Sequence, residues 1–368
     1  MKQIDNVIEG LNPSHLLETI HDPVKTLFFD IETTGFTAHS SSLYMIGCVY
    51  YKDGNWHTIQ WFAQKPSEQA DIIHSFFAFA KDYSFLIHFN GNQFDIPYII
   101  QKCDELEIPQ NFEEFGGLDI YRRISPYKRI LGLENCKQKT IERFLGIDRE
   151  DPYTGGDLIS IYQEYVASPT EDSENLLLQH NHDDLVGMLS ILPILSYCDI
   201  FSKPVKAKKV QANHYHDEND LHQIELIITV ALPETLPIPI SFHANGVYVR
   251  TKDNEANIKV PVFEGTLKYF YSNYKDYYYL PEEDLALHKS VATFVDKDHR
   301  TQANARNCYT RKQSLYLPQW DTLFAPFFKR DYDDPSLYFE LTDELKKNRS
   351  AFAAYASHLL KMCASSKE

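Results

Sequence analysis

Three runs near the start of the chain limit its fold more than any other feature. "TLFFDIE" (26–32), "SLYMIGCVYY" (42–51) and "WHTIQWFA" (56–63) are rich in aromatic and β-branched residues, which favour extended chain. Lys52-Asp53-Gly54-Asn55 supplies the residues a tight hairpin needs. A three-stranded meander is therefore expected. Helix and strand patterns then alternate. An amphipathic helix pattern covers Ser67 to Lys81, a strand covers 83–89, and a helix covers 94–106, with Pro97 tolerated in its first turn. A short strand fits near Gly117–Tyr121, and helical patterns follow at about 137–145, 156–167 and 171–197. This order predicts a mixed α/β sheet flanked by helices.

The 368 residues, 43% of them hydrophobic, suffice for two cores. "SKPVKAKKVQANHYHDEND" (202–220) is poor in apolar residues and mixed in charge. The expected division is a first domain at 1–203, a linker at 204–220 and an accessory domain at 221–368. The last reads as β-rich α+β, with strands in "HQIELIITVAL", "ISFHANGVYVRT", "IKVPVFEGTLKYFY" and "KDYYYLP" and a final helix from about Ser336 to Met362.

No stretch approaches the roughly 20 continuous apolar residues of a membrane span, so no membrane association is expected. The N-terminus lacks a charged region followed by an apolar run, the mark of a secretory signal. The six cysteines are scattered without a CxxC pair, which argues against a zinc site or a disulfide framework. A reducing cytoplasm is the expected compartment. The net charge is −16, and residues 1–203 hold 15 Lys and Arg against 30 Asp and Glu. That balance disfavours a protein that coats nucleic acid by bulk charge. It leaves room for an enzyme that holds metal ions with carboxylates.

Three segments carry such carboxylates. In "LFFDIETTGF" (27–36), alternate side chains of a strand share a face. Asp30 and Glu32 project together, while Leu27, Phe29 and Ile31 face apolar packing. A cation between the two acids would relieve their repulsion; solvated acids on an edge strand are the plainer alternative. In "LIHFNGNQFDIPYI" (86–99), a strand ends at Phe89, a polar turn follows, and Asp95 opens a helix, as a metal ligand or as a cap. In "QHNHDDLVGM" (179–188), six polar side chains interrupt an apolar helix. Helical phase puts Leu177, His180, Asp184 and Met188 on one stripe, with Asp183 about 100° away. His180 and Asp184 thus form the pair that faces a site, and His182 and Asp183 belong to the rim. A solvated His–Asp pair is the alternative. Together Asp30, Glu32, Asp95 and Asp184 suit hard divalent cations such as Mg²⁺ or Mn²⁺. Two ions about 4 Å apart clamp both oxygens of a phosphodiester displacement, and His180 is placed to accept a proton from water.

These segments resemble the three exonuclease motifs of the DEDD superfamily, which has a ribonuclease H-like fold. "FDIETTG" resembles the first motif, "FNGNQFDIPY" the second as found in family B polymerase proofreading domains, and "HNHDDLVGM" stands in for the third. The connector at 118–150 resembles that of the bacterial YprB-like, predicted exonuclease branch. The resemblance covers about residues 24–200. It implies a mixed five-stranded sheet and metal ligation by Asp30, Glu32, Asp95 and Asp184. It also implies 3′-to-5′ hydrolysis at a nucleic-acid end, single-stranded DNA or RNA. Asn90 and Phe94 match positions that approach the terminal nucleotide, and Thr33 and Thr34 offer further contacts. Superfamily members carry Y-x3-D or H-x4-D in the third motif, whereas His180 and Asp184 give H-x3-D. The metal ligands carry over, and the role of general base stays open between His180 and none of these residues. A non-catalytic nucleic-acid-binding module and a structure-selective endonuclease are the alternatives.

In the second half, residues 274–320 mix tyrosines with Lys289, Lys297, Arg300, Arg306, Arg311 and Lys312. Such a mixture suits strand binding, or is an ordinary β-domain with solvated charges. "HYH" (214–216) with His222, and "TGG" (154–156), read as surface polar residues and a loop before a helix.

Overall fold

The structure is a computed structural model and describes residues 1–10, 15–148, 152–153 and 155–365. Residues 149–150, which end the connector compared above, and Thr154 of the Thr-Gly-Gly loop lie outside the described residues. The chain divides into two compact units, Met1–Cys198 and Asp199–Glu368.

The first unit is built on one sheet of β1 (Lys2–Ile8), β2 (Thr26–Thr33), β3 (Leu43–Lys52), β4 (Asn55–Phe62), β5 (Phe85–His88) and β6 (Gly116–Asp119). Their spatial order is β1-β4-β3-β2-β5-β6. The expected meander is β2-β3-β4, antiparallel throughout, and β5 and β6 extend it in parallel. The sheet is therefore mixed, with six strands rather than the expected five. The additional strand is β1, which pairs with β4 from Lys2↔Phe62 to Ile8↔Trp56. Its sequence, Lys-Gln-Ile-Asp-Asn-Val-Ile, is polar because most of its side chains are exposed at the sheet edge, so it shows little of the alternation of a half-buried strand.

The helices are α1 (His15–Ile20), α2 (Gln69–Ala80), α3 (Asp95–Glu105), α4 (Ile120–Ile124), α5 (Gln138–Phe144), α6 (Gly155–Ala167), α7 (Glu171–Ser190) and α8 (Leu195–Ser202). Leu27, Phe29 and Ile31 of β2 pack with Ile72, Ile73 and Phe76 of α2 and with Tyr98 and Ile99 of α3. On the other face, Tyr44, Met45 and Phe62 pack with Leu158 and Tyr162 of α6 and Leu177 of α7. The segment Glu171–Ser202 is, against expectation, long and apolar enough by composition to span a membrane, and 78% of its apolar window is buried inside the protein. Its apolar residues fill a core.

In the second unit, β7 (Lys206–His216), β8 (His222–Ala231), β9 (Ser241–Ala244), β10 (Val247–Lys252) and β11 (Glu255–Pro261) form an antiparallel sheet in the order β7-β8-β11-β10-β9. The expected linker is thus mostly strand β7. A bulge between Ala207 and Lys209 breaks its alternation, and its edge position leaves most side chains in water. Strands β12 (Phe263–Phe270), β13 (Tyr277–Leu280), β14 (Leu285–His288), β15 (Thr301–Gln302), β16 (Tyr309–Gln319), β17 (Phe327–Phe328) and β18 (Leu337–Glu340) build two smaller sheets, β12-β16-β18-β17 and β14-β13-β15. The helix expected from Ser336 begins later. "LYFE" is strand β18 against β16, Thr342 caps a short helix at Asp343–Lys346 by accepting from Leu345 N at 3.2 Å, and the final helix is Arg349–Ser365.

Candidate active site

Strand β2 delivers the first two acids. Because Leu27, Phe29 and Ile31 face α2 and α3, pleating turns Asp30 and Glu32 toward α7. The ladder to β3 shifts register between Glu32 and Thr33, which bends the strand just past the pair. Asp95 opens α3, and its Oδ1 accepts the Ile31 amide at 3.2 Å, tying the helix start to β2 between the two acids. Helix α7 brings His180 and Asp184. His180 Nε2 lies 3.3 Å from Asp184 Oδ2 and 3.9 Å from Glu32 Oε1. Ligand atoms of Glu32, His180 and Asp184 lie within 4.8 Å of one another, close enough to hold one metal ion. The histidine thus belongs to the tightest group, while Asp30 and Asp95 adjoin it.

Burial, reinforced by Asp95, Glu32 and Asp184, drives the Asp30 carboxyl well above its ordinary range. Burial pushes Glu32 up to about 8 despite the nearby His180, and Asp95 up to about 7 despite backbone N–H donors. Asp30, Glu32 and Asp95, whose proton affinities burial raises, accept ionisation when a cation joins them. The four carboxylates offer oxygen donors, which fit Mg²⁺ or Mn²⁺. The side chains of Glu32 and Asp184 stay 12% and 27% exposed, so the cluster is open to a ligand.

The remaining expected residues divide. Asn90 takes a left-handed φ of 64° in the turn before α3, and its side-chain oxygen is buried without a hydrogen-bond partner among the described residues. Phe94 flanks Phe36 at 6.2 Å and Tyr98 at 5.6 Å between ring centres. The hydroxyls of Thr33 and Thr34 serve the turn instead: Thr33 Oγ1 donates to Gly35 O at 2.9 Å, and Thr34 Oγ1 accepts from Ser42 N at 2.8 Å. His182 turns to Thr58 Oγ1 at 3.2 Å, and Asp183 accepts from Gln179 at 2.7 Å. His214 and His222 meet at 3.2 Å on the β7–β8 hairpin but join no three-ligand group among the described residues. In the tyrosine-rich region, Arg306, Arg311 and Lys312 are bound in ion pairs to Asp333, Asp284 and Glu340. Lys289 and Arg300, in contrast, lie over the ring of Tyr278 at 5.4 Å and 4.8 Å.

Sequence reasoning missed four residues. Asn181, fully buried, donates to Asp30 Oδ2 at 3.1 Å and accepts from Gln60 Nε2 at 3.0 Å. The signal was present, since Leu178, Asn181 and Leu185 lie on one helical stripe. Gly47, opposite Asp30 on β3, lets α7 approach: a Cβ there would stand 2.0 Å from Asn181 Oδ1. Phe36 is 91% exposed beside Phe94.

Asp119 is the fourth. Its carboxylate accepts from Asn90 N at 3.0 Å, Asn92 N at 3.3 Å and Arg122 N at 3.1 Å, joining the turn before α3 to the start of α4. Burial holds His88 below its ordinary pKa, which favours the neutral ring whose Nδ1 accepts from Gly91 N at 3.1 Å in the same turn. A strand-terminal Asp before a helix is a cap signal. Asp119→Ala is expected to lower stability by about 3 kcal/mol in urea unfolding, because it strands several backbone donors. A loss below about 1 kcal/mol would count against this anchoring role.

The mixed sheet, with helices on both faces and acids gathered at β2, has a ribonuclease H-like architecture. Residues 27–196 match the RNase_H_2 family model, of the RNase_H superfamily; the match takes in all four carboxylates. No curated protein matches the chain. Among solved structures, the family B DNA polymerase of the hyperthermophilic archaeon Pyrobaculum calidifontis is similar at 12% identity and a TM-score of 0.38. The similarity covers 69% of this chain and 35% of the polymerase chain, so it spans about a third of that protein.

Proposed function

We propose that this protein is a two-metal-dependent 3′-to-5′ exonuclease that hydrolyses phosphodiester bonds at nucleic-acid ends, on single-stranded DNA or RNA. The observation that carries the reading is the gathering of Asp30, Glu32, Asp95 and Asp184 with His180 in one desolvated cleft of a ribonuclease H-like domain. Asp30, Glu32, Asp95 and Asp184 would hold the ions. When bound, these ions supply a nucleophilic water and neutralise charge on the leaving oxygen. With Asp184 and Glu32 turned to the ions, His180 Nε2, which lies 3.3 Å and 3.9 Å from them, would take a proton from the attacking water. Asn181 fixes the rotamer of Asp30, and Asp95 is fixed by the Ile31 amide. The Asn90 side-chain oxygen offers an acceptor to the terminal nucleotide, and Phe36 offers a face on which a base stacks. The cytoplasm is the proposed compartment.

The test is a 5′-labelled single strand, DNA and RNA in parallel, with Mn²⁺. Stepwise shortening from the 3′ end is expected, with a covalently closed circle left intact. Cutting of the circle would make the enzyme an endonuclease. Binding of both polymers with no shortening of either would leave the binding module that the H-x3-D spacing raises.

Phe36→Ala should leave the urea midpoint unchanged, because the ring is almost wholly exposed. It should raise KM by about tenfold, the loss of one stacked base. An unchanged KM would remove Phe36 from the substrate path.

A further inference from the structure

The second unit contains a pocket of about 470 Å³, lined by residues that include Gln223, Phe263, Trp320, Arg330, Ser336 and Tyr338. These come from the start of β8, the β11–β12 junction, the end of β16, and the segment from Arg330 into β18. The Arg330 guanidinium lies 5.2 Å from the ring centre of Phe263 and 5.6 Å from that of Tyr338. Nearby cations are spent on carboxylates: Lys268 on Asp331, Arg306 on Asp333, Arg311 on Asp284 and Lys312 on Glu340. Arg330 has no such ion pair among the described residues. Two aromatic rings hold its planar group in place while its charge stays uncompensated.

We propose that this pocket binds a nucleotide, with Arg330 on the phosphate and the base against the aromatic wall of Trp320 and Phe263. A guanidinium already oriented by rings is suited to paired hydrogen bonds with phosphate oxygens. The volume falls within the range of small-ligand pockets. Gln223, Ser336 and backbone groups along the rim supply polar partners for a base or sugar. Neither an apolar ligand nor a bare anion would use both the charge and the rings. The nucleotide is either free or one unit of a strand, and both present the same phosphate and base. This inference does not depend on the nuclease reading, because binding here needs no metal and no cleavage.

Trp320 reports on the pocket. Trp56 and Trp61 are buried in the first unit, whereas Trp320 is partly exposed. The full chain, in EDTA, is titrated with a nucleoside monophosphate, with a short oligothymidylate and with inorganic phosphate, following tryptophan fluorescence. Saturable quenching by the monophosphate or the oligonucleotide is expected, with phosphate binding at least about tenfold more weakly. Arg330→Ala should weaken binding by about tenfold or more. Arg330→Lys should restore only part of it, since lysine keeps the charge but not the fork. Tighter binding of the oligonucleotide than of the monophosphate would assign the pocket to a strand, and equal affinity to a free nucleotide. Absence of quenching by either ligand, equal binding of inorganic phosphate, or unchanged affinity in Arg330→Ala would each overturn the proposal. Arg330 is exposed, so its replacement should leave the fold intact; matching far-UV circular dichroism of the variants checks this.

Discussion

Asp30→Asn is expected to abolish metal-dependent cleavage, with a loss on the order of 10³-fold in kcat/KM, while the folded protein becomes more stable. The two effects share one cause. Asp30 is driven well above its ordinary pKa by burial and by three neighbouring acids, so its charge opposes folding unless a cation is present. The neutral amide removes that opposition together with the ligand. The same physics sets the pH dependence of the metal-free chain. Glu32 and Asp95, raised to about 8 and about 7 from 4.5 and 3.8, bind protons in the folded state that the unfolded state releases. Stability in EDTA should therefore rise as pH falls from about 8 toward about 4.5. Mn²⁺ should raise the melting temperature most at the upper end of that window. Melting curves in EDTA and in Mn²⁺ at two pH values check both statements. An Asp30→Asn variant that cleaves as well as the parent chain would end the proposed chemistry.

Gly47→Val should cost about 3 kcal/mol, seen as a lower urea midpoint, and should also depress cleavage. A Cβ at this position would come within 2.0 Å of Asn181 Oδ1 and 2.7 Å of Leu185 Cδ1. Both neighbours are buried, and Asn181 is bonded to Asp30 and Gln60. To relieve the clash α7 must retreat, and α7 carries His180 and Asp184. A glycine with no catalytic atom would thus change the distance between Glu32 and Asp184. Gly155→Ala, at the start of α6 where nothing lies within 4 Å and φ is not positive, is a control for backbone effects. Equal behaviour of the two variants would show that the close packing of α7 is unimportant.

The meander and the alternation that follows were legible because β2, β3 and β4 are buried over most of their length and are rich in aromatic and β-branched residues. The phase of α7 was legible because its apolar stripe defines its faces. Strands β1 and β7 were not, because both lie at sheet edges, where the ladder is made by backbone groups and the side chains are left mostly in water. In the site, Asp30, Glu32, Asp95 and Asp184 could be marked by their places on strand and helix. The residues that hold them were harder to see. Asn181 looked like one more polar residue in a polar break, and Asp119 acts through three backbone amides whose meeting is a tertiary fact. Thr33 and Thr34 follow the acids directly, but their hydroxyls close a turn whose partners include Ser42.

The polar edge strand has a consequence for association. A sheet with free edges offers unpaired amides and carbonyls to any other extended chain. Here one end of the first unit's sheet is β1, mostly exposed and bearing Lys2, whose ammonium pairs with Glu174. The other end is β6, four residues long with two glycines. Neither edge presents a long apolar ribbon. The aromatic strands that build the core are fenced on both sides, which guards the domain against growing into a larger sheet.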